Sequence, residues 1–304
     1  MLRVRMIAAI CIIGPILLLI WLDDRSSYPG IWLAPLAVLA SQMACAETLT
    51  LFQAKNALTS KFGAHFGALA VVLCASAPFL WKEYPSDCVL TKPGWALLGI
   101  VLAFCIVVVE EMLRYRGPGN SIARMANSMF VVFYAGALMT FMLGLRMLEG
   151  GPAESPSRKG LFAFMGAMMI VKLSDAGAYF VGRSLGRNKM APILSPKKTW
   201  EGASGGLLVA CGGAVFVFYV LGPWMSAWGD TPPTVPVVTC CLYAASLTVA
   251  GMIGDLFESL LKRDAKVKDS STWLPGLGGV LDVLDSALAV APVSYAWWVT
   301  GLLG

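Results

Sequence analysis

The sequence predicts an all-α, polytopic integral membrane protein with about nine transmembrane helices and a cytoplasmic N-terminus. Three observations carry this expectation. Hydrophobic residues make up 58% of the 304 and charged residues only 13%, whereas soluble chains carry about a quarter charged. The apolar runs are long and continuous, so helices satisfy the backbone in lipid better than the short alternating strands of a barrel. The basic residues also fall mostly on one side of the spans, as the positive-inside rule requires.

With about twenty apolar residues per crossing, the spans lie at 5–22, 31–50, 63–81, 95–113, 125–146, 160–181, 204–223, 235–257 and 280–303. Arg3 and Arg5 before the first run resemble the start of a signal peptide. No small-x-small cleavage site follows Leu22, where Asp23, Asp24 and Arg25 come next, so a retained first helix is expected. The second span contains Glu47, and the sixth contains Lys172 and Asp175. With the N-terminus inside, sixteen basic residues fall on the cytoplasmic side: Arg3, Arg5, Lys55, Lys61, Arg114, Arg116, Arg124, Arg183, Arg187, Lys189, Lys197, Lys198, Lys262, Arg263, Lys266 and Lys268. Five fall opposite, namely Arg25, Lys82, Lys92, Arg158 and Lys159. An error of one span would scramble that asymmetry. Trp21, Trp32, Trp81, Trp95, Trp224, Trp228, Trp297 and Trp298 sit near span ends, where aromatic side chains anchor at the interface. No repeat or low-complexity tract interrupts residues 1–304, so one membrane domain is expected. Residues 1–150 form helices of scaffold type, and residues 160–304 carry the catalytic helices and cytoplasmic loops.

Several function classes drop out. The eight cysteines lack a CxxC and there is one histidine, His65, so a metal framework of these residues is not expected. The net charge of +5 is spread over loops without a basic domain and interleaved exposed aromatics, which argues against nucleic acid as a partner.

Ionisable residues inside spans cost several kcal/mol unless they meet a partner or water. Glu110 and Arg114 are explained as an i,i+4 pair. In the sixth span Lys172, Asp175 and Tyr179 fall at i, i+3 and i+7, on one helical face. Gly182 to Arg187 and the loop Ser195-Pro196-Lys197-Lys198-Thr199-Trp200-Glu201-Gly202 follow. Glycines, lysines and hydroxyls at this spacing suit phosphate oxygens, although a Walker A loop is absent and a snorkelling basic loop explains the segment equally well. Downstream, Asp255, Ser259 and Lys262 share a face of a helix leaving the membrane. The mixed-charge loop Lys262 to Asp269, the turn with Gly276, Gly278 and Gly279, and Asp282 and Asp285 at i, i+3 complete a candidate site for a divalent metal and phosphate. Mg²⁺ binds through one or two carboxylates plus substrate phosphates. Helix-dipole stabilisation explains one carboxylate here, but not the gathering of Asp255, Lys262, Arg263, Lys268, Asp269, Asp282 and Asp285 at one membrane face.

These motifs resemble those of the phosphatidate cytidylyltransferase, or CDP-diacylglycerol synthase, family. Ser259, Lys262, Arg263, Lys268, Asp269, Pro275, Gly276, Gly278, Gly279, Asp282 and Asp285 match its signature in register. Gly254-Asp255 precedes them as in the family, and Ser174-Asp175-x-x-Ala178-Tyr179 with Ser195 to Gly202 is similar to its earlier motif. The resemblance is strong from Asp175 to Ser286, with two departures: Leu277 stands in place of a histidine and Val283 in place of an arginine. It implies a nucleotidyltransferase that moves a cytidylyl group from CTP to phosphatidic acid in phospholipid biosynthesis. The implied metal ligands are Asp255 and Asp282, with Asp285 beside them, for Mg²⁺ and with a second cation left open. The implied phosphate-binding residues are Ser195, Lys197, Lys198, Thr199, Ser259, Lys262, Arg263 and Lys268, with Asp175, Tyr179, Glu201 and Asp269 in supporting places. The implied setting is the cell's inner, cytoplasmic membrane, with the bilayer as a partner and a homodimer compatible with the chain. A transporter predicts inverted repeats and mid-bilayer charges in both halves, which are not seen. A CDP-alcohol phosphatidyltransferase requires D-x-x-D-G-x-x-A-R, whereas Ser286-Ala287 follow Asp285. A CTP-dependent lipid kinase is the alternative that sequence separates least.

Overall fold

The computed structural model describes residues 14–26, 30–81, 84, 85, 88, 90–148, 156–225, 235–271, 273, 274 and 278–303. Residues 14–24 are helical. Then come α1 (Leu33–Ala54), α2 (Lys61–Leu80), α3 (Lys92–Arg114), α4 (Ser121–Arg146), α5 (Pro156–Leu185), α6 (Trp200–Trp224), α7 (Val237–Asp264) and α8 (Leu281–Val299). The seven helices α1 to α7 are long and apolar enough to cross a membrane, and they coincide with seven of the nine expected spans. Much of the first expected span, 5–13, lies outside the described residues, as do Pro275, Gly276 and Leu277. The ninth forms α8, 19 residues long and carrying Asp282 and Asp285, and is not among those seven. The chain is an all-α, multi-pass membrane protein. Large apolar side chains such as Leu97, Phe104, Leu208, Leu242 and Ile253 stay exposed on helix faces, which in water would be a liability and in lipid is ordinary solvation.

One element departs from the expected loop. Lys189–Ala191 (β1) and Ser195–Thr199 (β2) pair antiparallel, Lys189 opposite Thr199 and Ala191 opposite Ser195. The Glu201 carboxylate holds the hairpin base, accepting from Arg187 N at 3.2 Å, Asn188 N at 3.1 Å and Asn188 Nδ2 at 2.7 Å. Thr199 Oγ1 accepts from Gly202 N at 3.1 Å and so caps α6, satisfying one of the unpaired amides of a helix start.

The chain folds as two compact units. The first comprises Met1–Gly144 and Leu261–Leu284, the second Leu145–Leu260 and Asp285–Gly304. Leu261–Leu284 thus fold with the front helices. The first unit is built on small residues: Val71, Ala103, Val132 and Ala137 form a buried cluster, and a Cβ on Gly136 would come within 3.1 Å of the Ala68 backbone. Without a hydrophobic drive between helices in lipid, such close backbone approach supplies the packing. Glu110 pairs with Arg114 at 2.7 Å, as its spacing suggests. It also takes hydrogen bonds from Ser60 Oγ and Gly63 N at the start of α2.

In the second unit α5 and α6 pack along glycines, while Phe162, Phe218, Tyr243 and Trp298 form an aromatic cluster with centroids 5.6 to 6.1 Å apart. The Tyr243 and Ser294 hydroxyls, 2.7 Å apart, satisfy each other inside it. A Cβ on Gly206 would sit 2.8 Å from the Ser174 carbonyl oxygen, whereas nothing lies within 4 Å of one on Gly212. Gly206→Leu is therefore expected to destabilise the protein by about 1–3 kcal/mol through overpacking. The measurement is the thermal midpoint in detergent, with Gly212→Leu expected to match the wild type.

Candidate active site

The second unit gathers charged side chains from four elements. Strand alternation sends Lys197 and Lys198 to opposite faces of β2: Lys197 is exposed, while Lys198 is half-buried and its Nζ lies 2.7 Å from Asp255 Oδ2 on α7. From α5, Lys172 Nζ lies 3.4 Å from both Asp175 Oδ2 and the Ser286 hydroxyl of α8. Asp255 lies within electrostatic reach of both Asp175 and Asp285, and Asp285 Oδ1 accepts from Ser286 N at 2.5 Å. Two lysines thus lie among three carboxyl groups whose side chains are only partly covered.

The first unit holds a different arrangement. Lys262, in the last turn of α7, places Nζ 2.6 Å from Asp282 Oδ1 in a mostly buried pair. Asp282 Oδ2 also accepts from Ser270 N at 3.0 Å, Ser270 Oγ at 2.6 Å and Gly279 N at 2.7 Å. Behind it lies Glu47 of α1, 2% exposed. Its Oε1 accepts from Ser271 Oγ at 2.7 Å and Val280 N at 2.9 Å, and its Oε2 from Ser270 Oγ at 2.9 Å and Leu281 N at 2.7 Å. The paired glycines have separate reasons. Gly278 sits at φ +93°, a conformation that side chains disfavour. A Cβ on Gly279 would run into Ser270 Oγ and both Glu47 oxygens.

The expected residues therefore divide. Asp175, Lys198, Asp255 and Asp285 come together in the second unit, and Lys262 and Asp282 pair in the first. Ser259 is half-buried on α7, Arg263 is exposed in the last turn of that helix, and Lys268 and Asp269 are exposed on the segment after it. Ser195 is half-buried in β2, beside the hairpin turn. Tyr179 turns to Arg183, whose Nη1 donates to its hydroxyl at 2.8 Å. Thr199 and Glu201 organise the hairpin and the α6 start. Sequence reasoning did not assign roles to Lys172, Glu47, Ser270 and Ser286. A charge inside an apolar span flagged the first two, while Ser270 and Ser286 carry no such signal.

Carboxylate oxygens suit a hard cation such as Mg²⁺. Among the described residues no three His, Cys, Asp or Glu side chains are gathered as a cage for a metal. Mg²⁺ binds through one or two carboxylates and completes its shell with substrate phosphates and water.

The chain is thus a helical membrane protein with lysine–carboxylate pairs at its helix ends and on a short hairpin. A model of the Cytidylyltransferase family matches residues 3–300, and the chain belongs to that family. It is 38% identical over 162 residues to a phosphatidate cytidylyltransferase of Bacillus subtilis (strain 168), covering 53% of this chain and 54% of that protein. It is 37% identical over 163 residues to one of Haemophilus influenzae, with shares of 53% and 54%. It is 41% identical over 208 residues to one of Brucella suis biovar 1, with shares of 68% and 67%. The match thus spans about half the length of the first two relatives.

Breaking a buried pair from one side leaves a charge without its partner. Lys262→Met is expected to destabilise the protein by about 3 kcal/mol, the low end for such pairs because three neutral donors stay with Asp282. Lys262→Met/Asp282→Asn is expected to recover about half of that loss. Thermal unfolding of the two variants in detergent provides the check.

Proposed function

We propose that this protein transfers a cytidylyl group from CTP to phosphatidic acid, releasing pyrophosphate and leaving CDP-diacylglycerol in the membrane. The observation that carries the reading is the Lys198–Asp255 pair beside Lys172, Asp175 and Asp285, in a chain of the cytidylyltransferase family. A phosphate oxygen of phosphatidic acid forms a bond to the α-phosphorus of CTP, and the bond from that phosphorus to the bridging oxygen of the pyrophosphate breaks. The attacking phosphate is already ionised, so no general base is assigned. The obstacle is repulsion between two anions, which makes positioning and charge neutralisation the main catalytic contributions.

Asp255, with Asp285 beside it, would hold Mg²⁺, which when bound neutralises phosphate charge and stabilises the leaving pyrophosphate. Lys198, paired with Asp255, transfers to a phosphate oxygen when CTP binds, and Lys262 and Asp282, paired with each other, are assigned to phosphate and metal by the motif they share with the family. Lys197, Arg263 and Lys268 are exposed and bring further positive charge to the polyphosphate, with Ser195 and Ser259 as hydroxyl donors. The basic loops face the cytoplasm in this reading, where CTP is available, and the inner membrane supplies the lipid.

Purified protein given labelled CTP, phosphatidic acid and Mg²⁺ is expected to yield labelled CDP-diacylglycerol and pyrophosphate. Asp255→Asn is expected to lower kcat by at least about 100-fold. Chelation of divalent cations abolishes turnover, and added Mg²⁺ restores it. No liponucleotide from the wild type, or wild-type turnover in Asp255→Asn, overturns the proposal.

A further inference from the structure

Glu47 lies in the front half of the chain, inside a helix apolar enough to cross the membrane, yet its carboxylate is 2% exposed and takes four hydrogen bonds. Two come from backbone amides at the start of α8, Val280 N and Leu281 N, and two from the hydroxyls of Ser270 and Ser271. The next residue after Leu281 is Asp282. Whatever fixes the Leu281 amide therefore fixes the first turn from which Asp282 reaches Lys262. Ser270 ties the two acids more closely still. Its hydroxyl lies 2.9 Å from Glu47 Oε2 and 2.6 Å from Asp282 Oδ2, and a hydroxyl has only one proton to donate. The two carboxylates thus share a donor, and neither can move without disturbing the other's hydrogen bonding.

We infer that Glu47 is a positioning residue for the Lys262–Asp282 pair, acting through Ser270 and the N-terminus of α8. The inference rests on the cytidylyl-transfer reading for its catalytic consequence, but the clamp itself can be measured without turnover. A side chain that only filled space would contribute to stability and not to the rate per folded molecule. A clamp that sets the direction of Asp282 acts on the rate, because misplacement by about 1 Å of a group that orients substrate costs roughly 100-fold.

Glu47→Gln keeps the size of the side chain but replaces one acceptor with an NH₂ group. In either orientation that group meets a backbone N–H, since Val280 N donates to one oxygen and Leu281 N to the other. The expected result is a kcat per folded molecule lower by about 10–100-fold, with KM for CTP changed by less than about threefold. Glu47→Asp keeps two acceptor oxygens and is expected to recover part of the loss. Glu47→Gln/Ser270→Ala is expected to fall no further than the worse single variant, because both act on the same contact. Amide hydrogen exchange of the peptide containing Val280 and Leu281 is expected to quicken in Glu47→Gln, while peptides from α3 exchange as in the wild type. Wild-type kcat per folded molecule in Glu47→Gln, with a loss of folded protein alone, overturns the positioning role. Unchanged exchange at Val280 and Leu281 overturns the clamp. If the wild type makes no CDP-diacylglycerol, the functional reading fails, and quickened exchange still supports the clamp.

Discussion

The carboxylate of Glu47 against the start of α8 is the contact on which the first unit's polar architecture depends. A helix begins with amides that have no partner within it, and an acid buried in an apolar protein needs donors or it loses its charge. Each meets the other's requirement: Val280 N and Leu281 N saturate the acid from one side, and Ser270 and Ser271 from the other. Gly278 and Gly279 follow from this contact. The first provides the turn at φ +93°, and the second leaves the space that the acid and Ser270 occupy. The same geometry explains why Leu261–Leu284 fold with helices that precede them by about two hundred residues.

Lysine–carboxylate pairing is the second organising device, and it takes two forms. Lys262 and Asp282 are mostly buried, and Asp282 has three further donors, so that pair is held firmly. Lys198 and Asp255 are more open, with Asp255's side chain 38% exposed, and solvent screens such a pair more strongly. An exposed pair exchanges partners at lower cost. The open pair is accordingly the one that releases its lysine at lower cost, while the buried pair keeps its geometry.

The helices were legible in the sequence because lipid imposes one rule, about twenty apolar residues per crossing, and seven spans obey it plainly. The hairpin was not, because Ser195-Pro196-Lys197-Lys198-Thr199 carries neither a β-branched run nor a clean alternation of polarity. Its pairing depends on Glu201, which gathers the Arg187 and Asn188 amides from outside both strands. In the second unit Lys198 and Asp255, and in the first Lys262 and Asp282, stand out in the sequence by motif and charge, and Glu47 as an acid inside a span. Its partners could not be named, since Ser270 and Leu281 lie more than two hundred residues away. No local pattern encodes a contact of that range. Thr199 has a structural place that the basic loop did not reveal: its hydroxyl accepts from Gly202 N as a helix cap and keeps its own proton to donate.

Val283 stands where the resembling family has an arginine, and the contacts around Asp282 bear on what that change does. An arginine beside an acid on the same helix turn is a natural counter-charge, and its loss would strand the acid if nothing else met it. Here Asp282 already has Lys262 on one oxygen and Ser270 and Gly279 on the other. All of these donors come from outside the position that changed, and the Val283 amide itself donates to Val280 O at 3.1 Å. Neutralisation of Asp282 therefore does not depend on residue 283. Under the proposed cytidylyl transfer, the consequence of Val283 would fall instead on the substrate's phosphates, which meet one cation fewer at that turn.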